Sequence, residues 1–103
     1  MSQFVRAAKR QDIPSGSGVA SECNGKPVSI FNVAGEFYAT QGKCPHRGGP
    51  LDEGELEGQV VTCPWHAWRF DVCTGINADN PHSKLVVYPV KLEGDDVLVE
   101  MHG

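Results

Sequence analysis

Four residues of this 103-residue chain have the types and spacing of a metal site: Cys44 and His46 in "CPHRGG", and Cys63 and His66 in "CPWH". Each segment pairs one soft thiolate with one imidazole within a few residues, and both side chains bind metal only when deprotonated. Proline follows each cysteine, restricting the backbone so that the ligands are held before a metal arrives. Gly48 and Gly49 permit close approach of main-chain amides, which can then donate hydrogen bonds to sulfur. The mixed composition matters. Structural zinc sites usually pair like residues, as C-x₂₋₄-C and H-x₃₋₅-H, whereas here each segment offers one of each.

The elements that must carry these segments are short strands. Twelve glycines and seven prolines punctuate the chain, and no apolar run holds a three-turn amphipathic helix. "VSIFNV" (Val28 to Val33) and "FYAT" (Phe37 to Thr40) read as a hairpin about "AGE". "KLVVYPVKLEGDDVLVEM" reads as a β-branched run, a turn at Glu93 to Asp96, and a returning strand from Val97 to Met101. "FVRAA", "GVASEC", "QVVTC" and "WRFDV" supply further strands, and "IPSGSG" (Ile13 to Gly18) is a loop. The expectation is an all-β antiparallel sandwich or barrel in one domain, 1–103, with an inserted subdomain of two metal-binding loops at about 43–75.

Composition narrows the function. Nine basic against thirteen acidic side chains give a net charge of −4, which disfavours nucleic acid or an anionic membrane and favours a basic partner surface. No window approaches eighteen consecutive apolar residues, and Arg6 interrupts the only apolar patch near the start. The expectation is a cytoplasmic chain with no membrane span, whose thiols stay reduced and serve metal chemistry. Cys23 and Cys73 read as small hydrophobes outside the site. Trp65 and Trp68 read as packing with some shielding of the site, and His82 and His102 as surface residues. Asp52, Glu53, Glu55 and Glu57 read as a solvated acidic loop placed to steer a basic partner. No nucleotide-binding or acid–base constellation appears.

"CPHRGG", "CPWH", "IFNVAGEFYATQGKCPH" and "WRFDVCTG" resemble the Rieske proteins, and most of all the small ferredoxins that feed bacterial ring-hydroxylating dioxygenases. The resemblance covers the whole chain. It implies one 2Fe-2S cluster, with Cys44 and Cys63 on the inner iron and His46 and His66 on the outer. With two ferric ions, two sulfides, two thiolates and neutral imidazoles the oxidised centre is formally neutral, becoming singly negative on taking up one electron. The resemblance implies a carrier and not an enzyme, with a flavin-dependent NAD(P)H reductase and a terminal oxygenase as protein partners and no small-molecule substrate of its own. The small Rieske subunit of an assimilatory nitrite reductase is the second reading, and a structural zinc module the third.

The chain departs from the respiratory branch, which carries a bracing disulfide at the positions of Gly49 and Trp65, and serine and tyrosine hydroxyls at those of Trp68 and Phe70. Fewer hydrogen bonds to sulfur disfavour the reduced, more negative state, so the potential is expected towards the bottom of the range of about −150 to +300 mV for such centres. The ferredoxins also usually carry glycine where this chain has Ala67. Replacing either His46 or His66 with cysteine should change or abolish the visible spectrum; an unchanged spectrum would exclude that histidine as a ligand.

Overall fold

A computed structural model describes residues 2–43, 49–65, 68–80 and 82–102. Its organising strand is β3 (Lys26–Val33), in which Val28 through Asn32 are all buried. Successive side chains of a strand point to opposite faces, and β3 uses the alternation to serve two cores. Val28 and Ile30 join Ile13, Cys23, Ala39, Val97, Val99 and Met101 on one side. Phe31 joins Leu51, Val61, Cys63, Phe70, Val72 and Leu85 on the other. The second core is the floor of the metal-binding region.

Two tight hairpins flank β3. β2 (Gly18–Cys23) and β4 (Glu36–Gln41) pair with it antiparallel, and both connections are two residues long. Asn24 and Gly25 have φ of 52° and 78°, and Ala34 and Gly35 have φ of 51° and 92°. Positive φ at both central residues is the mark of the type I′ turn, whose twist matches that of the strands it joins. Asn32 binds the "IPSGSG" loop to this sheet: its Nδ2 donates to the Ile13 carbonyl at 2.7 Å and its Oδ1 accepts from Gly35 N–H at 2.8 Å.

The strands form three antiparallel sheets, bearing out the all-β expectation. β1 (Ser2–Lys9) pairs with β10 (Asp96–His102), which pairs with β9 (Val90–Glu93). The second sheet runs β2-β3-β4-β8, where β8 is Val87–Tyr88. The third is the meander β5 (Glu55–Glu57), β6 (Val60–Thr62) and β7 (Arg69–Asp71). The β-branched run read as one strand is divided at Pro89. Val87 and Tyr88 pair with β4, while Val90 onward pairs with β10. Proline brings no N–H to either ladder, and its carbonyl accepts from Glu100 N–H at 2.9 Å. Among the described residues no helix is long and apolar enough to cross a membrane.

The acidic stretch read as a loop is a 3₁₀ turn at Leu51–Glu53 followed by β5. Leu51 is fully buried, and Leu56 faces inward opposite Val61 while Glu55 and Glu57 face solvent. Between them Gly54 lies so close to the β6 backbone that a Cβ there would collide with the Thr62 carbonyl oxygen and stand 3.0 Å from Val61 Cγ2. Gly54→Ala should therefore lower stability by about 1–3 kcal/mol, as overpacking does. Thermal unfolding followed by circular dichroism should show the midpoint falling by roughly 4–8 °C per kcal/mol; an unchanged midpoint would mean that the turn relaxes freely.

Candidate metal centre

Each metal-binding loop is pinched shut at its root. For the first, Lys43 and Pro50 form an isolated antiparallel bridge, and Leu51 N–H donates to the Gly42 carbonyl at 3.1 Å. Gly42 is anchored to the β3 edge by its own N–H, 3.0 Å from the Pro27 carbonyl, at a spot where a Cβ would stand 2.9 Å from Pro27 backbone. For the second, Cys63 N–H donates to the Trp68 carbonyl at 2.7 Å. That bond returns the chain to β7 immediately after β6 has delivered Cys63.

Cys63 is 1% exposed and packs in the second core. Gly49 is buried beside it: a Cβ at Gly49 would be 3.0 Å from Cys63 Sγ and 2.9 Å from Trp65 Cγ. The two loops thus meet across a glycine, with one predicted ligand sulfur held in the contact, and this cradle fits a group bound by both loops. Cys44, His46 and His66 lie outside the described residues, as do Arg47, Gly48 and Ala67. Among the described residues no three metal-ligating side chains converge.

The same contact shows what occupies the place of the respiratory brace. A Cβ at Gly49 would lie 3.1 Å from Trp65 Cβ, near the separation of about 3.5–4.5 Å that a disulfide spans. Here the indole of Trp65 rests on the glycine with half its surface exposed. Trp68 is partly buried and tilted against Phe70, their ring centroids 6.3 Å apart. Phe70 itself is fully buried in the second core.

Residues 71–80 and 82–86 adjoin the second loop, and the sequence reading, which ended the metal-binding portion at about 75, missed the part played by those beyond it. The Asp71 carboxylate accepts from Cys73 N–H at 2.8 Å and Thr74 N–H at 3.2 Å, shaping the turn in "DVCTG". Asn77, nearly buried, does the same for Asp79 and Asn80, at 2.8 and 3.0 Å. Side-chain oxygens that accept from backbone two or three residues ahead are a legible signal for such turns. Arg69 grips Asp79 through two hydrogen bonds, holding that carboxyl below its usual range and raising the guanidinium further. Asn77, Asp79 and Asn80 with Trp68 line an open recess of about 270 Å³.

The other singled-out residues lie elsewhere. Cys23 is fully buried in the first core, and burial pushes its thiol up. Cys73 is partly buried and its thiol is also raised by burial. Beside it, Tyr38 donates to Glu36 at 2.7 Å, and this bond, then that to Cys73, raises its phenol. All three groups stay protonated near neutrality. His82 is exposed, its N–H on Asn80 Oδ1; the side chain of His102 lies outside the described residues.

Residues 3–89 match the Rieske [2Fe-2S] domain, a class of iron–sulfur protein, and the chain belongs to that family. It carries one Rieske-type 2Fe-2S cluster and is a ferredoxin, an electron carrier and not itself a catalyst. It is 41% identical over 99 residues, 95% of each chain, to the ferredoxin component of the naphthalene 1,2-dioxygenase/salicylate 5-hydroxylase systems of a Ralstonia species. Among solved structures, a chain in the complex of reduced oxygenase and oxidized ferredoxin in carbazole 1,9a-dioxygenase is similar at a TM-score of 0.85 and 33% identity, over 93% of this chain and 91% of that one. A putative nitrite reductase small subunit from Mycobacterium tuberculosis shares the fold at a TM-score of 0.90 and 21% identity, over 100% of this chain and 98% of that one. The family assignment displaces the zinc reading.

Because Gly49 leaves so little space above Cys63 Sγ, Gly49→Ala should push the loops apart and lower the iron and sulfide recovered per chain, with the β-sheet circular dichroism retained. Full iron and sulfide content in that variant would show that the loops do not depend on the contact.

Proposed function

We propose that this ferredoxin takes electrons singly from a flavin-dependent NAD(P)H reductase and hands them to the terminal oxygenase of a cytoplasmic aromatic-ring-hydroxylating dioxygenase system. Within one Rieske domain, Cys44 and Cys63 hold the inner iron and His46 and His66 the outer. The group so bound supplies a site that gains and loses one electron. The observation that carries the ligand assignment is the buried Cys63 sulfur in the contact between the two closed loops. The 41% identity to a dioxygenase ferredoxin component over 95% of both chains supports the choice of system. The nitrite-reductase reading has likeness of fold alone to support it.

The protein's own residues supply position, environment and approach. Cys63 is kept from water by Val61, Leu51 and Phe70. Neither Trp68 nor Phe70 carries the hydroxyl found at its position in the respiratory branch, which favours a low potential and suits a carrier fed by a flavin. Approach is electrostatic. Residues 49–80 hold six acids (Asp52, Glu53, Glu55, Glu57, Asp71, Asp79) against Arg69, a balance of −5, while the rest of the chain has seven acids against eight bases, +1. With Lys43 and Arg47 of the first loop included, the metal-binding portion 43–75 carries −2 and the rest of the chain −2, so the acidic excess near Cys63 is local to the stretch after that loop. Exposed Glu55 and Glu57 fix some of it on a strand, so a basic partner is drawn towards the metal-binding end.

Anaerobic titration with dithionite should consume one electron per chain and elicit a rhombic low-temperature EPR signal whose average g lies below the free-electron value. Transfer from the reduced protein to a terminal oxygenase should slow as ionic strength rises. A fully loaded protein that stays EPR-silent would overturn the ligand assignment, and transfer indifferent to salt would overturn the electrostatic approach.

A further inference from the structure

The carboxamide of Gln41, the last residue of β4, is used at both ends. Its Nε2 donates to the Lys43 carbonyl at 2.8 Å, and its Oε1 accepts from Val86 N–H at 2.7 Å. The Gln41 backbone N–H donates to the Val86 carbonyl at 2.8 Å. Lys43 is the root of the first metal-binding loop, through its bridge to Pro50. Val86 ends the segment that packs beside the second. Leu85 N–H donates to the Gly75 carbonyl at 2.7 Å, Gly75 N–H to the Asp71 carbonyl at 2.7 Å, and Asp71 N–H to the Ile76 carbonyl at 2.9 Å. Asp71 ends β7, the strand entered directly from Trp68, whose carbonyl closes the second loop on Cys63. A connected path of hydrogen bonds and strand therefore runs from the root of one loop to the root of the other, and Gln41 is the side chain that joins its two halves.

We infer that Gln41 is a positioning residue for the metal centre: its carboxamide sets the placement of the first loop relative to the second, and so the geometry in which the two loops share one group. The inference rests on the ligand set Cys44, His46, Cys63 and His66. Ligands drawn from two loops must be held to within about 0.5 Å of a common geometry, and the path through Gln41 ties the roots of the loops independently of their contact at Gly49. At this position the chemistry is selective. A carboxamide donates at one end and accepts at the other; a carboxylate retains only the acceptor, and a leucine of similar size retains neither.

The test compares Gln41→Leu and Gln41→Glu with Ser21→Ala, which removes a side chain-to-backbone bond of 2.8 Å to the Ala7 carbonyl, two strands from Gln41 in the same sheet and directed to β1. Cluster-loaded proteins are read by EPR g values after dithionite reduction, by the rate of iron release to a chelator, and by thermal midpoint. Gln41→Leu should release iron about five- to tenfold faster, as expected for two lost hydrogen bonds, with shifted g values. Gln41→Glu should fall between it and the parent, and Ser21→Ala should keep parental g values and release rate whatever its midpoint. A Gln41→Leu chain that folds without retaining a cluster is the same result in its extreme form. Parental g values and release rate in Gln41→Leu would overturn the inference; if that chain does not fold, the same finding in Gln41→Glu would overturn it. A parent with no reduced EPR signal would instead overturn the ligand set, so the two failures are distinguishable.

Discussion

Coordination bonds tolerate little error, whereas loops of a small β protein are ordinarily its least constrained parts. This chain meets that constraint by closing each loop where it leaves the framework. The Cys63 N–H to Trp68 carbonyl bond and the Lys43–Pro50 bridge bring each loop's ends to adjacent points. The close contacts then follow. Gly49 lets the loops touch above Cys63, and Gly54 lets the acidic turn lie on β6. Substituting a larger residue at either place disturbs the ligand-bearing backbone directly. Below them β3, by alternating its side chains between two cores, makes the metal-binding region continuous with the rest of the fold.

Local chemistry was legible in the sequence, and relations over distance were not. The pairing of Cys with His, the proline after each cysteine, and the β3–β4 hairpin all lie within a few residues, and the family and fold bear out the cofactor and the all-β class. β5 was hidden because a three-residue strand, Glu55–Leu56–Glu57, shows a single inward apolar side chain and otherwise reads as an acidic loop. The division of the last β-branched run at Pro89 was hidden because residues on both sides have strand propensity, and only pairing partners distinguish the sheets. Gln41 carried no signal at all. Its partner Val86 is 45 positions away, and glutamine at the end of a strand is ordinarily a solvated residue.

The rest of the molecule is chemically quiet in a way that suits a carrier. Burial raises the thiols of Cys23 and Cys73 and the bond to Glu36 raises the Tyr38 phenol, moving all three further from ionisation than their ordinary values already place them. A thiolate is the reactive form of cysteine, so burial lowers the reactivity of these two thiols near neutrality. Charge is distributed with equal economy. Acidic side chains gather at Asp52, Glu53, Glu55 and Glu57, directly after the first loop, while Lys43 and Arg47 lie at and within that loop. Fast exchange of partners favours that arrangement, because rim charges act mainly on the rate of encounter.

The contact of Gly49 with Trp65 explains how the loops are braced without the covalent link found in the respiratory branch. A disulfide at those positions would itself be a redox couple next to an electron-transfer site, and its integrity would depend on the thiol–disulfide poise of its surroundings. An indole resting on a glycine has no such dependence: the attraction is apolar contact, unchanged by the passage of an electron. The cost is that packing is softer than a bond and must be supported from outside the contact. The hydrogen bonds of Gln41 and the buried Phe70, Leu51 and Val61 beneath Cys63 provide that support. On this view the polar path on one side of the loops and the apolar floor on the other substitute jointly for one covalent bond, and weakening either should loosen the same contact.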